Sequence, residues 1–317
     1  MAEARADDDE IFVYMGGDQQ VPDGVRRARI HKSVKIVSAM AFQYRHHLIY
    51  VEFHDSVEII EAGAFNGCWS LKSVKLLGVK IVSQWAFYSC PSLTDVEFGD
   101  NLETIGQCAF GRCNALRKIR MLSAWSIGEE AFANCSELTD VECGEALEAL
   151  YGWAFGDCPK LERITLPLKD FFEDRSSVFK DCTKLTRIDL VGGIHQTVAT
   201  LHLVSWRNEM NDEINRINQT LPTITAGKTE EIQQWMESVI NRLDHLKAEH
   251  IILLKEATTL LELALWKAKV DDHEGNEREG VRTTTTRSRR KRARKEICVT
   301  SGADVVIKNV LPFLALK

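Results

Sequence analysis

The sequence predicts a repeat solenoid built on a parallel β-sheet with short helical turns, followed by an α-helical hairpin or coiled-coil segment. Three observations support this fold class: a phenylalanine that returns every 22 to 24 residues, apolar positions at fixed spacing around it, and a heptad-like pattern further along. A fixed period in this range is typical of solenoids, in which each unit buries its apolar face only against its neighbours.

The repeated positions predict the shape of one unit. Seven phenylalanines define the units, at Phe42, Phe65, Phe87, Phe110, Phe132, Phe155 and Phe179. Alanine precedes six of the seven, cysteine comes three residues after six of them, and leucine comes six residues after all seven. Apolar residues at the ninth and eleventh positions point to one side of a strand. The alanine and the cysteine are four residues apart, which predicts one short helical turn per unit.

The stretch EAGAFNGCWSLKSVKLLG at 61–78 is a typical copy of the repeat. This pattern resembles the BspA-like class of leucine-rich repeats, which is found in bacterial surface antigens and is expanded in diatoms and other protists. The resemblance covers residues from about 25 to 192. The later stretches LHLVSWRNEMNDEINRINQTLP and LLELALWKAK are similar to the tail of an expanded diatom group of such proteins.

Composition is that of a chain with a packed core and no strong preference for nucleic acid. Of 317 residues, 44% are hydrophobic and 27% charged, and the net charge is −6. The N-terminus is acidic and no stretch approaches 18 uninterrupted apolar residues, so neither a secretory signal nor a membrane span is expected. We therefore expect an intracellular protein, cytoplasmic or nuclear.

The predicted organisation has five parts. They are an N-terminal segment and cap at 1–24, the solenoid at 25–192, a helical hairpin or coiled coil at 193–270, a disordered charged linker at 271–296, and a short docking segment at 297–317.

The cysteine column raises the main chemical question. Its members are Cys68, Cys90, Cys113, Cys135, Cys158 and Cys182. Zinc sites usually show close cysteine pairs, which this spacing lacks. Stacked units would bring neighbouring sulfurs within disulfide reach, yet a buried thiol also behaves as a small hydrophobic side chain. The pattern favours buried structural thiols over disulfides or a metal site, and no catalytic, cofactor or metal-binding residue is predicted.

Leucine-rich repeats commonly bind through the strand residues that alternate with the buried ones. Here the candidate interaction surface consists of Tyr50, Glu52, Lys75, Asp95, Glu97, Lys118, Arg120, Asp140, Glu142, Arg163, Arg187 and Asp189. Opposite charges in adjacent units indicate either a charged interaction surface or a ladder of ion pairs that neutralise one another. Trp69, Trp85 and Trp125 lie off the buried pattern, and we expect them either to form an aromatic patch or to pack between loops.

After the solenoid the apolar period becomes helical. Steps of three and four from Leu203 to Ile217 predict one helix, and Thr229 is expected to cap a longer one. The longer helix carries a heptad-like seam: Ile232, Met236, Val239, Leu243, Leu246, His250, Leu253, Ala257, Leu260 and Ala264. Such a seam needs a partner, which is the shorter helix folded back as a hairpin, the end of the solenoid or a second copy of the chain. The pattern favours a hairpin that can also self-associate through 229–269.

Residues 287–295 contain seven basic residues out of nine. The candidate nuclear import run is Arg289, Arg290, Lys291, Arg292, Arg294 and Lys295. The alternatives are a solvated charge run or contact with nucleic acid.

The sequence as a whole favours a non-catalytic protein–protein interaction scaffold with a helical segment for assembly. No G-x-S-x-G, H-E-x-x-H or Gly-rich phosphate loop occurs. Protein partners are expected, and membrane or nucleic-acid partners are not. The alternatives are a nuclear nucleic-acid-associated regulator that uses the basic run, and a cell-surface adhesion protein. If the units stack, replacing Phe110 by alanine should cost more stability than replacing Phe42, which the sequence places near an end.

Overall fold

Each repeat forms one coil of a solenoid, with a longer strand, a corner, a two-residue strand and a wall of turns. The computed structural model describes residues 11–169, 177–191, 204–224 and 226–277. The chain divides into two compact units: Met1–Thr197 with Arg207–Val239, and Val198–Trp206 with Ile240–Lys317. The coils belong to the first unit.

The strands of successive coils pair in parallel. The longer strands are β1 (Ile11–Tyr14), β2 (Arg27–Ile30), β4 (Tyr50–Glu52), β6 (Ser73–Leu76), β8 (Asp95–Phe98), β10 (Lys118–Met121), β12 (Asp140–Cys143), β14 (Arg163–Leu166) and β15 (Arg187–Leu190). The two-residue strands are β3 (Ile36–Val37), β5 (Ile59–Ile60), β7 (Ile81–Val82), β9 (Thr104–Ile105), β11 (Ser126–Ile127) and β13 (Ala149–Leu150).

The pairing gives three sheets, with a break in the longer strands between β8 and β10. Their orders are β1-β2-β4-β6-β8, β10-β12-β14-β15 and β13-β11-β9-β7-β5-β3. Equivalent residues of adjacent repeats are register partners, as with Lys75 and Glu97. The predicted parallel sheet is therefore confirmed.

The short helical turn predicted for each unit is wrong in the described coils, which have turns around each phenylalanine. The backbone reaches positive φ two residues before and two residues after it, for example 63° at Gly63 and 73° at Gly67 beside Phe65. Left-handed residues interrupt a right-handed helix. The amides thus turn toward the next coil, as the Phe65 amide does when it donates to the Ala86 carbonyl at 2.7 Å.

The phenylalanines form one stacked column in the core. Successive rings lie 4.8 to 6.0 Å apart with interplanar angles of 2° to 13°. The Tyr14 ring lies 5.2 Å from Phe42 on the side opposite Phe65. Phe42 is therefore fully buried with a ring on each side, contrary to the expectation that it has fewer neighbours than Phe110.

Two helices follow the coils. They are α1 (Val204–Thr220) and α2 (Lys228–Glu277), joined through a 3-10 turn at Leu221–Thr223. Thr229 lies inside α2 and is not its cap: its hydroxyl accepts a hydrogen bond from the Phe179 amide at 2.9 Å. The indole of Trp235, a residue outside the predicted seam, donates to the Glu213 carbonyl at 3.2 Å, so α2 contacts α1.

Only part of the heptad seam is buried among the described side chains. Ile232, Met236, Val239 and Leu243 are at most 5% exposed. Leu260, by contrast, is 67% exposed. The helix continues to Glu277, into the segment predicted as linker. The rest of that linker, with the basic run and the docking segment, lies outside the described residues.

Carboxamide side chains cap both outer edges of the longer-strand sheets. At β1, the Gln19 amide accepts from the Met15 amide at 2.6 Å and donates to the Val13 carbonyl at 3.3 Å. At β15, Asn218 of α1 accepts from the Ile188 amide at 2.8 Å and donates to the Ile188 carbonyl at 3.1 Å. Each carboxamide supplies the donor and acceptor that another strand would otherwise provide.

Candidate interaction surfaces

The thiols of the cysteine column are hydrogen-bonded inside the core. Each donates to the carbonyl of the phenylalanine one coil earlier, as in Cys90 to Phe65 at 3.2 Å and Cys113 to Phe87 at 3.2 Å. Burial raises the pKa of Cys68 to about 12 and the pKa of Cys90 well above its usual value. All six are free thiols. A protonated, buried thiol is a poor nucleophile and a poor metal ligand, so the column is structural.

The predicted strand-face residues lie together as a ladder of ion pairs. Oppositely charged register partners in adjacent strands pair at 2.7 Å (Arg29–Glu52), 2.9 Å (Lys75–Glu97), 3.5 Å (Lys118–Asp140) and 2.7 Å (Arg120–Glu142). Arg163 and Arg187 both contact Asp189. The bond to Glu97 raises the pKa of Lys75. Exposed pairs of this kind each contribute less than about 1 kcal/mol, but together they occupy most of the charges on this face.

Two predicted strand-face residues take no part in that ladder of pairs. Tyr50 is 42% exposed. The Asp95 carboxylate accepts a hydrogen bond from the hydroxyl of its neighbour Thr94 at 2.6 Å.

A cluster of exposed aromatic and apolar side chains lies on the turns of the first two coils. We define the aromatic cluster as Met40, Tyr44, His46 and Trp69. The His46 ring lies 3.9 Å from the Trp69 ring, stacked, and 6.0 Å from the Tyr44 ring. Met40, Tyr44 and Trp69 are 59%, 56% and 53% exposed.

The backbone of the turns explains why the cluster is outside the core. Met40 and Tyr44 occupy the two positive-φ positions around Phe42, both at 58°. Gly67 then leaves room for a ring, because a Cβ there would stand 2.6 Å from Cδ1 of Tyr44. His46 is fixed by a 3.0 Å contact between its Nδ1 and the Gly67 carbonyl.

Later coils place polar residues at the position of Tyr44, namely Ser89, Arg112, Asn134, Asp157 and Asp181. The structure therefore has an aromatic patch, but its members differ from the three tryptophans named from the sequence. Trp69 belongs to the aromatic cluster. Trp85, 44% exposed, stands two residues before Phe87, as Met40 does before Phe42, and Trp125, 46% exposed, directly precedes β11 on another part of its coil. The sequence analysis missed Met40, Tyr44 and His46. Their positions relative to Phe42 indicate that these side chains are exposed, but only once the left-handed turns are known.

In the part of the chain that the structure describes, no group of three or more His, Cys, Asp or Glu side chains is arranged to hold a metal ion. None of the described helices is long and apolar enough to cross a membrane.

Stacked parallel coils with inner columns of phenylalanine, cysteine and leucine define a leucine-rich repeat solenoid. The family model for the BspA type leucine rich repeat region matches this chain in six copies, over residues 25–125 and 122–200. The chain belongs to the BspA-type leucine-rich repeat family, which confirms the resemblance seen in the sequence. Leucine-rich repeat proteins generally mediate protein interaction or surface adhesion, and this solenoid family is typically non-catalytic.

Solved structures of bacterial leucine-rich repeat proteins are similar to this chain. A leucine-rich cell surface protein of Faecalibacterium prausnitzii is 24% identical, with 55% of this chain and 62% of that chain covered and a TM-score of 0.38. A leucine-rich repeat protein of Bacteroides ovatus is 28% identical, with 51% and 48% covered and a TM-score of 0.39. The chain thus spans less than two thirds of either protein. No curated protein matches this chain.

Proposed function

We propose that this chain is a non-catalytic scaffold that binds a protein partner through the aromatic cluster. The observation that carries the proposal is the exposure of Tyr44 and Trp69, 56% and 53%, at two turn positions where the later coils have no aromatic residue. Exposed apolar patches on soluble proteins often mark interaction sites, and tryptophan and tyrosine are enriched among the residues that dominate binding energy. The cluster is held in place by the fixed backbone ladder of the coils, so little conformational entropy is lost on binding.

The twelve strand-face residues named from the sequence are proposed as a second, weaker contact surface. Lys75 and Arg120 already have carboxylate partners within the chain. A charged partner would have to replace those contacts, which lowers its net gain. Contact with the uncharged Tyr50 side chain does not require an ion pair to be broken.

The test compares two surface variants in cells of the native source. Tagged chains carrying Trp69→Ser with Tyr44→Ser, or the matched control Trp125→Ser, are cross-linked, and the recovered proteins are quantified by mass spectrometry. We expect a defined set of proteins to be lost at least tenfold from the double variant and retained by the control, and a purified member of that set to bind the intact chain directly. Equal recovery with all three chains would contradict the proposal.

The helical segment is proposed to assist assembly through self-association at 229–269. Leu260, Leu263 and Trp266 of α2 are 67%, 55% and 66% exposed. Light scattering on a size-exclusion column tests this role, since Leu260→Lys with Leu263→Lys should reduce the measured mass to that of a monomer. A mass that is monomeric before substitution would rule out self-association.

The basic run at 287–295 supports a second candidate function, nuclear import of a regulatory protein. Deleting that run from a fluorescently tagged chain should move the protein out of the nucleus. An unchanged distribution would reject the import signal.

A further inference from the structure

Two turns of the same pattern lie side by side after β2 and β4. They are His31-Lys32-Ser33 and His54-Asp55-Ser56, and the sequence contains no other His-x-Ser. The parallel pairing of β2 with β4 brings the two turns into register, one coil apart. The Ser56 hydroxyl ties them together by donating to the Lys32 carbonyl at 2.8 Å.

In each turn the histidine Nδ1 has the amide and the hydroxyl of the same serine as partners, with the hydroxyl oxygens 2.7 Å from Nδ1 of His31 and 3.0 Å from Nδ1 of His54. The Ser33 amide donates to Nδ1 of His31 at 3.2 Å, and the Ser56 amide donates to Nδ1 of His54 at 3.1 Å. Both contacts hold Nδ1 against the turn, so Nε2 is the ring nitrogen that a ligand can reach. In the tautomer that accepts from the serine amide, Nε2 carries the hydrogen and is a donor.

His31 and His54 line a cavity of about 210 Å³ together with Arg29, Lys32 and Glu52. Arg29 uses its Nε to bond Glu52 at 2.7 Å, which leaves its terminal nitrogens as donors. Lys32 is exposed, and the structure records no ion pair for it among the described residues. The cavity is smaller than the roughly 300 Å³ at which drug-sized ligand pockets begin, so it suits a small group.

We propose that this cavity binds a small tetrahedral oxyanion, namely a phosphoryl group, through the Nε2 donors of His31 and His54 and the cations of Arg29 and Lys32. Oxyanions accept several hydrogen bonds at once, and charge-assisted bonds from guanidinium and ammonium groups are the strongest of these. Glu52 and Asp55 are the nearby carboxylates, and both oppose an anion. These two negative charges limit the affinity of the cavity for an anion. Neutralising Glu52 should therefore tighten binding, which gives a direct test of the site. The site lies apart from the aromatic cluster and does not depend on the proposed function.

The experiment uses the full chain with ¹⁵N-labelled histidine. Inorganic phosphate is titrated at constant ionic strength against chloride, and the imidazole resonances are followed by NMR. We expect saturable shifts at His31 and His54 with phosphate alone. Removal of both donors by His31→Ala with His54→Ala should weaken binding about tenfold or more, since each hydrogen bond to a charged group is worth about that factor. The exposed His47 provides the matched control, and His47→Ala should leave binding unchanged.

Two further variants keep the test decisive should the double histidine variant fail to fold. Lys32→Ala should weaken phosphate binding severalfold, whereas Glu52→Gln should strengthen it. Phosphate shifts no larger than those with chloride, or the same affinity in Lys32→Ala and Glu52→Gln, would overturn the proposal. A phosphoserine blocked at both its amino and carboxyl groups distinguishes the source of the anion. If it competes with phosphate at the same histidine resonances, the ligand is a phosphoryl group on a partner. If it does not bind, the ligand is the free ion.

Discussion

At the scale of single residues, the sulfur atoms of the cysteine column act as hydrogen-bond donors in an apolar core. Cys68 donates to the Phe42 carbonyl at 3.1 Å, and Cys135 to the Phe110 carbonyl at 3.3 Å. Alanine would leave out the donor, and a larger residue would not fit a fully buried position. Cysteine recurs because a small, weakly polar side chain is what this position accepts.

We expect the column thiols to resist alkylation by iodoacetamide at pH 8 in the folded protein and to react once the chain is unfolded in urea. The pKa of Cys68 is raised to about 12 by burial, so almost no thiolate forms there at pH 8. Peptide mass spectrometry measures the modified fraction of each cysteine, and the urea sample is the control. Rapid modification of Cys68 or Cys90 in the folded chain would contradict this account.

The same shift predicts a loss of stability in alkali. A thiol whose pKa is higher in the folded chain than its usual 9.0 binds a proton that the unfolded chain releases. Its stabilising contribution is therefore complete below about pH 9 and is lost as the pH rises toward 12. Circular dichroism in urea at pH 8 and pH 10.5 checks the sign, and Cys68→Ala should show a smaller difference between the two.

At the scale of elements, each coil is held by its neighbours more than by itself. Turn amides donate to the next coil, as the Phe110 amide does to the Ala131 carbonyl at 2.8 Å, and the Phe110 ring stacks between Phe87 and Phe132 at 5.1 and 5.3 Å. Stability in such an array is close to a sum of unit and interface contributions. Coils that pack between similar neighbours should then lose a similar amount of stability from the same substitution.

Replacing Phe110 or Phe42 by alanine should therefore lower the free energy of unfolding by similar amounts, about 3 to 5 kcal/mol each. Both rings are fully buried, and Tyr14 supplies the ring that Phe42 would otherwise lack. Urea denaturation of each variant provides the measurement. Phe12→Ala is the control, since Phe12 of β1 is only half-buried and outside the stack. A loss at Phe42 less than half of that at Phe110 would show that Tyr14 does not complete the column.

At the scale of the molecule, the solenoid has to be closed at its ends, and α1 and α2 close the later one. Among the described residues no coil follows that of Phe179, whose amide bonds instead to the Thr229 hydroxyl. The buried Lys228 ammonium donates to the carbonyls of Thr183 and Leu185, and burial lowers its pKa. Polar side chains on the first turn of α2 thus replace the backbone of a missing coil.

Thr229→Val should destabilise the chain by about 1 to 3 kcal/mol, because the buried Phe179 amide then has no acceptor. Thr229→Ser keeps the hydroxyl and should recover most of that loss, which separates the hydrogen bond from packing. Thermal and urea denaturation of both variants give the comparison. Equal stability of the valine variant and the unaltered chain would mean that this cap does not hold the last coil.

Particular residues show which structural features can be predicted from a sequence pattern. The columns of Phe110, Cys113 and Leu116 were predicted to be buried, and they are, since burial follows directly from a repeated apolar spacing. The turns around Phe65 were predicted as helical, because a spacing of four is shared by a helix and by two successive turns. The aromatic cluster was missed in part, since Tyr44 and Trp69 are 25 residues apart and meet only when the coils stack.

The amino-acid sequence alone determined the period, the parallel stacking of the strands and the burial of the cysteine column, because each is a consequence of apolar side chains repeated at a fixed interval. Tertiary structure decided how the ends are closed and which surfaces are left open. Gln19, Asn218 and Thr229 act on backbone groups that no local pattern identifies as unpaired. Those groups become unpaired only where the stack of coils stops, and their need for a partner is what brings these side chains to the ends.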